Sequence, residues 1–366
     1  MAMHTGFIKE LNSGKLTPDV LGEFSIDLTK AVREGITQKF HRDKMNDEMH
    51  KFSEFILIET YRSILRMPPQ TLYLYLRENQ KLRETLKLKY LKTHDQYADF
   101  NSKRKYLKRD FGKVMKRNLK SKDLEYYILD TTIVEVDINK YRKGRNIKNG
   151  KYDVGFIHSS TKGTTVGFMV AALINFSNLS VVDVQIFEKG VKKTDMWKEM
   201  VLDNLGTTAG KIKMVLADAG FFAYDNYTLS PNMRVVPVIK SRAGLENKVE
   251  EKLKNLSPNL MWFDQRRNEE LSVLLEEFKE MIAKSIEEIK NYKNYAAVLR
   301  SRIEILFKIA KSIFGMNELH VYYKKFAIWN IYMILYISSI MYQYIEINGL
   351  NVHKTIELLK MKNWLF

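Results

Sequence analysis

EYYILDTTIVEVDI, residues Glu125 to Ile138, is an apolar run with Asp130, Thr131 and Thr132 at its centre. Tyr127, Ile128 and Leu129 lead into the aspartate, and Ile133, Val134 and Val136 follow it. The run shows little inside–outside alternation and reads as a buried strand. An ionised carboxylate in such a strand costs several kcal/mol unless a cation or strong donors meet it. Asp130 therefore either sits at an exposed strand edge or faces a positive group.

Outward from this strand, the pattern predicts further strands near 151–158, 165–175 and 181–187. A helix near 194–205, a strand at 212–217, a helix near 221–229 and a strand at 234–239 come next. Successive strands followed by alternating helix and strand describe a mixed α/β sheet. Residues 1–122 read as helical and polar, ending in Lys103 to Lys120 with nine basic residues and one acidic. Apolar residues interleave there, which gives an amphipathic basic helix, either a solvated face or a phosphate-tracking surface. The loop YRKGRNIKNGKY, 141–152, reads as an exposed basic hairpin turn.

Residues 245–296 read as a charged helical insertion whose apolar face carries Leu271, Leu274, Leu275, Phe278, Ile282, Ile286 and Ile289. The last helical section, 297–366, holds 20 residues without a charge, Phe326 to Ile345. That run is long enough to span a membrane, but a helix apolar all round also suits the core of a large protein.

The chain has 366 residues, 45% of them hydrophobic, enough for two or three domains. Its formal net charge of +17 suits a polyanionic partner, nucleic acid or an acidic membrane face. The absence of cysteine excludes disulfides, thiolate zinc sites and a cysteine nucleophile. The N-terminal residues lack an apolar h-region, so no signal peptide is expected.

Two further segments carry candidate chemistry. In MVLADAGFFAYDNY, 214–227, a strand delivers Asp218 onto Ala219-Gly220 and a helix start. A carboxylate at a buried strand's C-terminal end is where α/β folds place reactive groups, though an aspartate there also caps helices. In YAAVLRSRIEILFKIAKSIF, 295–314, Arg300, Glu304, Lys308 and Lys311 form one stripe on a helix. That stripe is either a solvated ion-paired face or a metal carboxylate flanked by cations for phosphates.

Together LDTT (129–132), LADAGFF (216–222) and Arg300-x3-Glu304-x6-Lys311 resemble the three signatures of DDE insertion-sequence transposases. The resemblance is to the insertion-sequence family 4 type, and VVPVIKSR (235–242) resembles the strand and basic turn after its second aspartate. Asp130 and Asp218 are 88 residues apart, and Asp218 and Glu304 are 86 apart. Ala297 stands where the motif has tyrosine, with Tyr295 two residues earlier, so the family's DNA-hairpin step is not implied here.

The resemblance implies a ribonuclease-H-like mixed sheet flanked by helices, with a helical N-terminal domain and a helical insertion. It divides the chain into a DNA-binding region (1–122), a first core part (123–244), the insertion (245–296) and a C-terminal helical core part (297–366). It makes Asp130, Asp218 and Glu304 catalytic ligands of two Mg²⁺ ions, replaceable by Mn²⁺, with Asp130 bridging. Arg300 and Lys311 become contacts to transposon-end DNA, and Lys308, Lys240 and Arg242 are further basic candidates. The implied partners are double-stranded DNA, at transposon ends and target, and at least a second copy of the chain.

No membrane association is expected, and the implied location is the cytoplasm, with the nucleoid of a prokaryote. Trp262 either stacks on a flipped base or packs, and packing is the commoner use of a buried aromatic. His158 and His320 read as structural, and Asp137, Asp183, Asp195 and Glu188 match no motif. Two other readings remain: a transposase-derived DNA-binding protein without catalysis, and a basic membrane-associated protein built on 326–345. A nuclease of the same fold, acting without strand transfer, is a close cousin.

Overall fold

β1, Glu125–Glu135, is the strand predicted around Asp130. It is followed by β2 (Gly155–Ser159), β3 (Gly163–Asn175), β4 (Val181–Phe187), β5 (Lys213–Ala217) and β6 (Val235–Ile239). The computed structural model that gives this fold describes residues 12–13, 26–34, 47–102, 125–136, 153–159, 163–177, 179–187, 191–206, 212–240, 244–258, 271–317, 319 and 321–360. The basic segment 103–120, the loop 141–152, Arg242, Trp262, His320, Asp137 and Glu188 lie outside them, as do the side chains of 293–300.

Six strands form one sheet. β1 lies antiparallel to β3, with Asp130 opposite Ala172, and parallel to β5, which is parallel to β6. The outer side of the 13-residue β3 is shared, β2 pairing with its first part and β4 with its second. The order β4-β3-β1-β5-β6, antiparallel then parallel, is ribonuclease-H-like, as expected. Pro237 is tolerated because β6 is an edge strand. Gly167 is required where β3 crosses β1, since a Cβ there would lie 2.1 Å from the Val134 carbonyl oxygen.

Alternation gives the sheet two faces. On one, Tyr127, Leu129, Leu173, Val215, Ala217 and Ile239 form a core with the helical segment after β4. That segment begins as α5 (Lys193–Trp197), widens into a π-helical turn (Lys198–Leu202) and closes at Asp203–Leu205. The predicted helix near 221–229 is instead a 3-10 turn, Ala219–Phe221, and a separate helix α6, Tyr224–Leu229. On the opposite face Met214, Leu216, Val236 and Val238 pack with Met281 and Tyr292.

Met281 and Tyr292 belong to α8 (Leu271–Ser312), which follows α7 (Glu246–Lys254). The 42-residue α8 runs without a break through the predicted insertion boundary at 296/297.

Contacts divide the chain into two compact units, one of Met115–Ile305 with Glu318–Ile328, holding the sheet. The other comprises Met1–Val114, Leu306–Asn317 and Trp329–Phe366, so it includes much of the section that the sequence-based division put with the core. Among its described helices are α1 (Asp47–Leu65), α2 (Pro69–Glu78), α3 (Gln80–Leu86) and α4 (His94–Ser102), with most of α9 (Lys324–Ile347) and α10 (Val352–Lys360). Inside it Phe55 stacks on Tyr97 at 5.4 Å, and the buried Glu59 holds Arg62 through two bonds of 2.9 and 2.8 Å.

Glu54 accepts the N–H groups of Lys89, Tyr90 and Leu91 at 2.6–2.8 Å, satisfying a non-helical turn. The uncharged run in α9 is core: Ser338 and Ser339 are fully buried, and Ser338 donates to the Ile334 carbonyl at 2.7 Å. Among the described residues no helix is long and apolar enough to cross a membrane.

Candidate active site

Strand register fixes the first pair. Leu129 is the partner of Ala217 on parallel β5, so the next residues, Asp130 and Asp218, are neighbours across the sheet. Parallel strands lie about 4.8 Å apart, which sets the scale of their separation. The 88-residue interval of the sequence is the offset of this pairing. Asp130 is 9% exposed, and its Oδ1 accepts the Thr131 N–H at 2.7 Å.

Asp218 continues the extended backbone one residue past β5, with φ −75° and ψ 172°. Its Oδ1 accepts the Gly220 N–H at 2.8 Å, capping the 3-10 turn, so the capping role weighed from the sequence is real. Its Oδ2 meets the Lys193 Nζ at 3.2 Å, with both side chains partly exposed. Register extends the row once more: Ala217 pairs with Ile239, which puts Lys240 beside Asp218. The Lys240 N–H donates to the Ala217 carbonyl at 3.2 Å, and the residue is exposed.

Glu304 is an exposed residue of α8. That helix is tied to the sheet twice: Tyr292 Oη donates to the Ala217 carbonyl at 3.2 Å, and Arg302 donates to the Phe176 carbonyl at 2.8 Å. The Arg302 guanidinium also lies 4.6 Å from the Phe176 ring centroid. Ile303 between Arg302 and Glu304 is fully buried. Among the described residues, however, no three His, Asp or Glu side chains come together as a metal cluster. The register thus makes Asp130 and Asp218 neighbours across the sheet.

The other predicted residues are placed as follows. Lys308 contacts His353 Nδ1 at 2.9 Å, and it and the half-buried Lys311 fall in the N-terminal helical unit. Arg300 is helical, its side chain undescribed. His158 faces Thr164 across β2 and β3 at 3.4 Å, a structural contact. Asp183 is buried and satisfied by Val184 N–H, Gln185 and Asn204, at 2.9, 3.1 and 2.8 Å.

Sequence reasoning missed Lys193 and Asn226. The Asn226 Nδ2 donates to the carbonyls of Thr194 at 3.1 Å and Phe221 at 2.8 Å, fastening the start of α5 to the turn after Asp218. No local motif marks either residue; packing of the start of α5 against the turn after Asp218 brings them there.

Two carboxylates on adjacent strands supply the hard oxygens that Mg²⁺ or Mn²⁺ prefers. Asp218 Oδ2 is met by the Lys193 ammonium, which an ion bound there would have to displace.

No curated protein matches the chain by sequence. Among solved structures, a piggyBac transposase synaptic complex with hairpin DNA is similar at a TM-score of 0.40 and 12% identity, over 92% of this chain and 76% of that one. Residues 121–340 match the model of the transposase DDE domain family, a span with the whole sheet, both paired aspartates and Glu304. That match covers more than half of the 366 residues, and the chain belongs to the transposase DDE domain family.

Proposed function

We propose that the chain is a DNA transposase of the insertion-sequence family 4 type, cutting at element ends and joining the released 3′-hydroxyl to target DNA. The observation that carries this reading is the register that makes Asp130 and Asp218 neighbours on parallel strands. Asp130 and Asp218 would hold the metal from one side, with Glu304 from α8 as the third ligand. Two divalent ions bound there supply stabilisation of the attacking and leaving oxygens of an in-line displacement.

In the first step water attacks the phosphorus, the P–O3′ bond breaks and the 3′ oxygen leaves as a hydroxyl. In the second, that 3′-hydroxyl attacks a target phosphate and displaces another 3′ oxygen, conserving the number of phosphodiester bonds. Lys240, beside Asp218 in the row, is a phosphate contact, as are Arg300, Lys308, Lys311 and Arg242. The formal charge of +17 supports a long contact with DNA. Joining two ends calls for at least two copies of the chain on DNA.

The test is metal-dependent nicking of end-containing DNA by wild type beside Asp130→Ala, Asp218→Ala and Glu304→Ala. Each variant is expected to bind DNA yet cut on the order of a hundred-fold more slowly or worse. A variant that cuts at the wild-type rate removes that carboxylate from the assignment. One observation favours a second reading, a DNA-binding protein that no longer cuts: among the described residues no three His, Asp or Glu side chains form a group that could hold a metal. Wild type that binds its ends and never nicks them with Mg²⁺ or Mn²⁺ would decide for that reading.

A further inference from the structure

We propose that Lys193 is an additional active-site residue: its ammonium neutralises Asp218 until a divalent ion arrives, and then yields the carboxylate and turns to the scissile phosphate. This rests on the metal-ligand reading of Asp218 above. Three observations place Lys193 there by construction. Its Nζ is 3.2 Å from Asp218 Oδ2 and 5.5 Å from the Phe221 ring centroid. Its stem lies against Gly220, where an added Cβ would come within 2.7 Å of Lys193 Cδ and 2.9 Å of Asp218 Oδ1. The backbone behind it is held by Asn226, which bonds Thr194 and Phe221 at once.

α5 itself is anchored by Met196 and Trp197, both fully buried, and the Trp197 indole donates to Ser230 Oγ at 3.0 Å. A lysine on a fixed base keeps several rotatable bonds, so the ammonium can move by ångströms while its Cα stays. Side chain and ion then compete for one oxygen. With Asp218 given up to the ion, the nearest new anion for a lysine at 30% exposure is the phosphate at that ion. Lys193 is thus a placeholder without metal and a phosphate contact with it.

The test is Mn²⁺ binding to the full-length protein without DNA, followed by electron paramagnetic resonance, for wild type, Lys193→Met, Lys193→Arg and Asp218→Asn. Removing a competing ammonium makes Lys193→Met bind Mn²⁺ about three-fold more tightly or more, whereas a damaged site would bind more weakly. Lys193→Arg, a firmer partner for Asp218, is expected to bind Mn²⁺ no more tightly than wild type and somewhat more weakly. With end-containing DNA, Lys193→Met should nick more slowly at saturating Mn²⁺, and Lys193→Arg should restore most of the rate. Wild-type or weaker Mn²⁺ affinity in Lys193→Met, with Asp218→Asn impaired, overturns the role of Lys193 and leaves Asp218 as a ligand. Mn²⁺ affinity unchanged in Asp218→Asn overturns the ligand assignment, and the Lys193 proposal falls with it.

Discussion

Asn226 is the fastening between the two segments that carry Asp218 and Lys193, and its removal has a calculable cost. The side chain is buried and gives one bond of 3.1 Å to the Thr194 carbonyl and one of 2.8 Å to that of Phe221. An intramolecular hydrogen bond contributes about 0.5–1.5 kcal/mol net, so Asn226→Ala should cost about 2 kcal/mol. For a unit of this size that is a fall in Tm of roughly 4–8 °C. Asn226→Asp keeps the shape but turns lone pairs toward two carbonyl oxygens, and is expected to cost more than alanine at pH 8.

Leu229→Ala, at a position 49% exposed on the same helix, should stay within about 0.5 kcal/mol. The assay is thermal unfolding by circular dichroism. The reasoning also requires coupling: in an Asn226→Ala background, Lys193→Met should change Mn²⁺ affinity by less than half its wild-type effect. A Tm within 1 °C of wild type for Asn226→Ala would show that the two bonds hold nothing. Full additivity with Lys193→Met would show that Asn226 does not position the ammonium.

Gly167→Ala places a Cβ 2.1 Å from the Val134 carbonyl oxygen, backbone that cannot yield without parting β1 from β3. A loss of about 3 kcal/mol or more is expected, read as a lowered midpoint in urea. Tyr227→Phe removes the 2.6 Å bond from its buried hydroxyl to the Ile239 carbonyl, and should cost about 1–2 kcal/mol by the same measurement. Glu288, on α8, has its pKa raised by burial first and by Glu287 second. Its ionisation is therefore easier unfolded than folded, and it lowers stability as pH rises through the carboxylate range. Glu288→Gln should raise Tm at pH 7.5, with the gain vanishing below about pH 4, where the glutamate is protonated in both states.

The strands were legible because β-branched runs bounded by turn residues leave few other structures. Predicted 181–187, 212–217 and 234–239 fall within a residue of β4, β5 and β6 at either end. Sheet order followed from the resemblance, since nothing local to β5 says that it pairs with β1. The unbroken α8 was harder: a composition shift near 296 suggests a boundary, but Tyr292 and Ile303, eleven residues apart on either side of it, are buried on one stripe of the helix. In the same way 326–345 is apolar enough to suggest lipid, and its buried serines, one bonding back to the preceding turn, are compatible with a protein core. Lys193 was illegible for a different reason. It is one lysine among 60 Lys and Arg, and its partner is 25 residues further along the chain.

Charge along the row explains how β1 tolerates its aspartate. Two carboxylates side by side in a partly buried setting repel unless cations stand near. The fold supplies a lysine ammonium on Asp218 and a second lysine, Lys240, next in register. The Lys193 ammonium offsets the charge of Asp218 without closing it off, because both side chains remain partly exposed. A buried arginine in place of Lys193 would satisfy Asp218 more firmly through its fork of donors, and would for that reason be slower to give it up. The choice of a single, mobile ammonium is what a site needs if the same carboxylate must later serve an ion. Lys193→Arg therefore separates two properties that alanine would confound. It should raise metal-free stability slightly while slowing the on-rate for Mn²⁺, measured by stopped-flow mixing. A wild-type on-rate in that variant would mean that metal reaches Asp218 without moving the lysine.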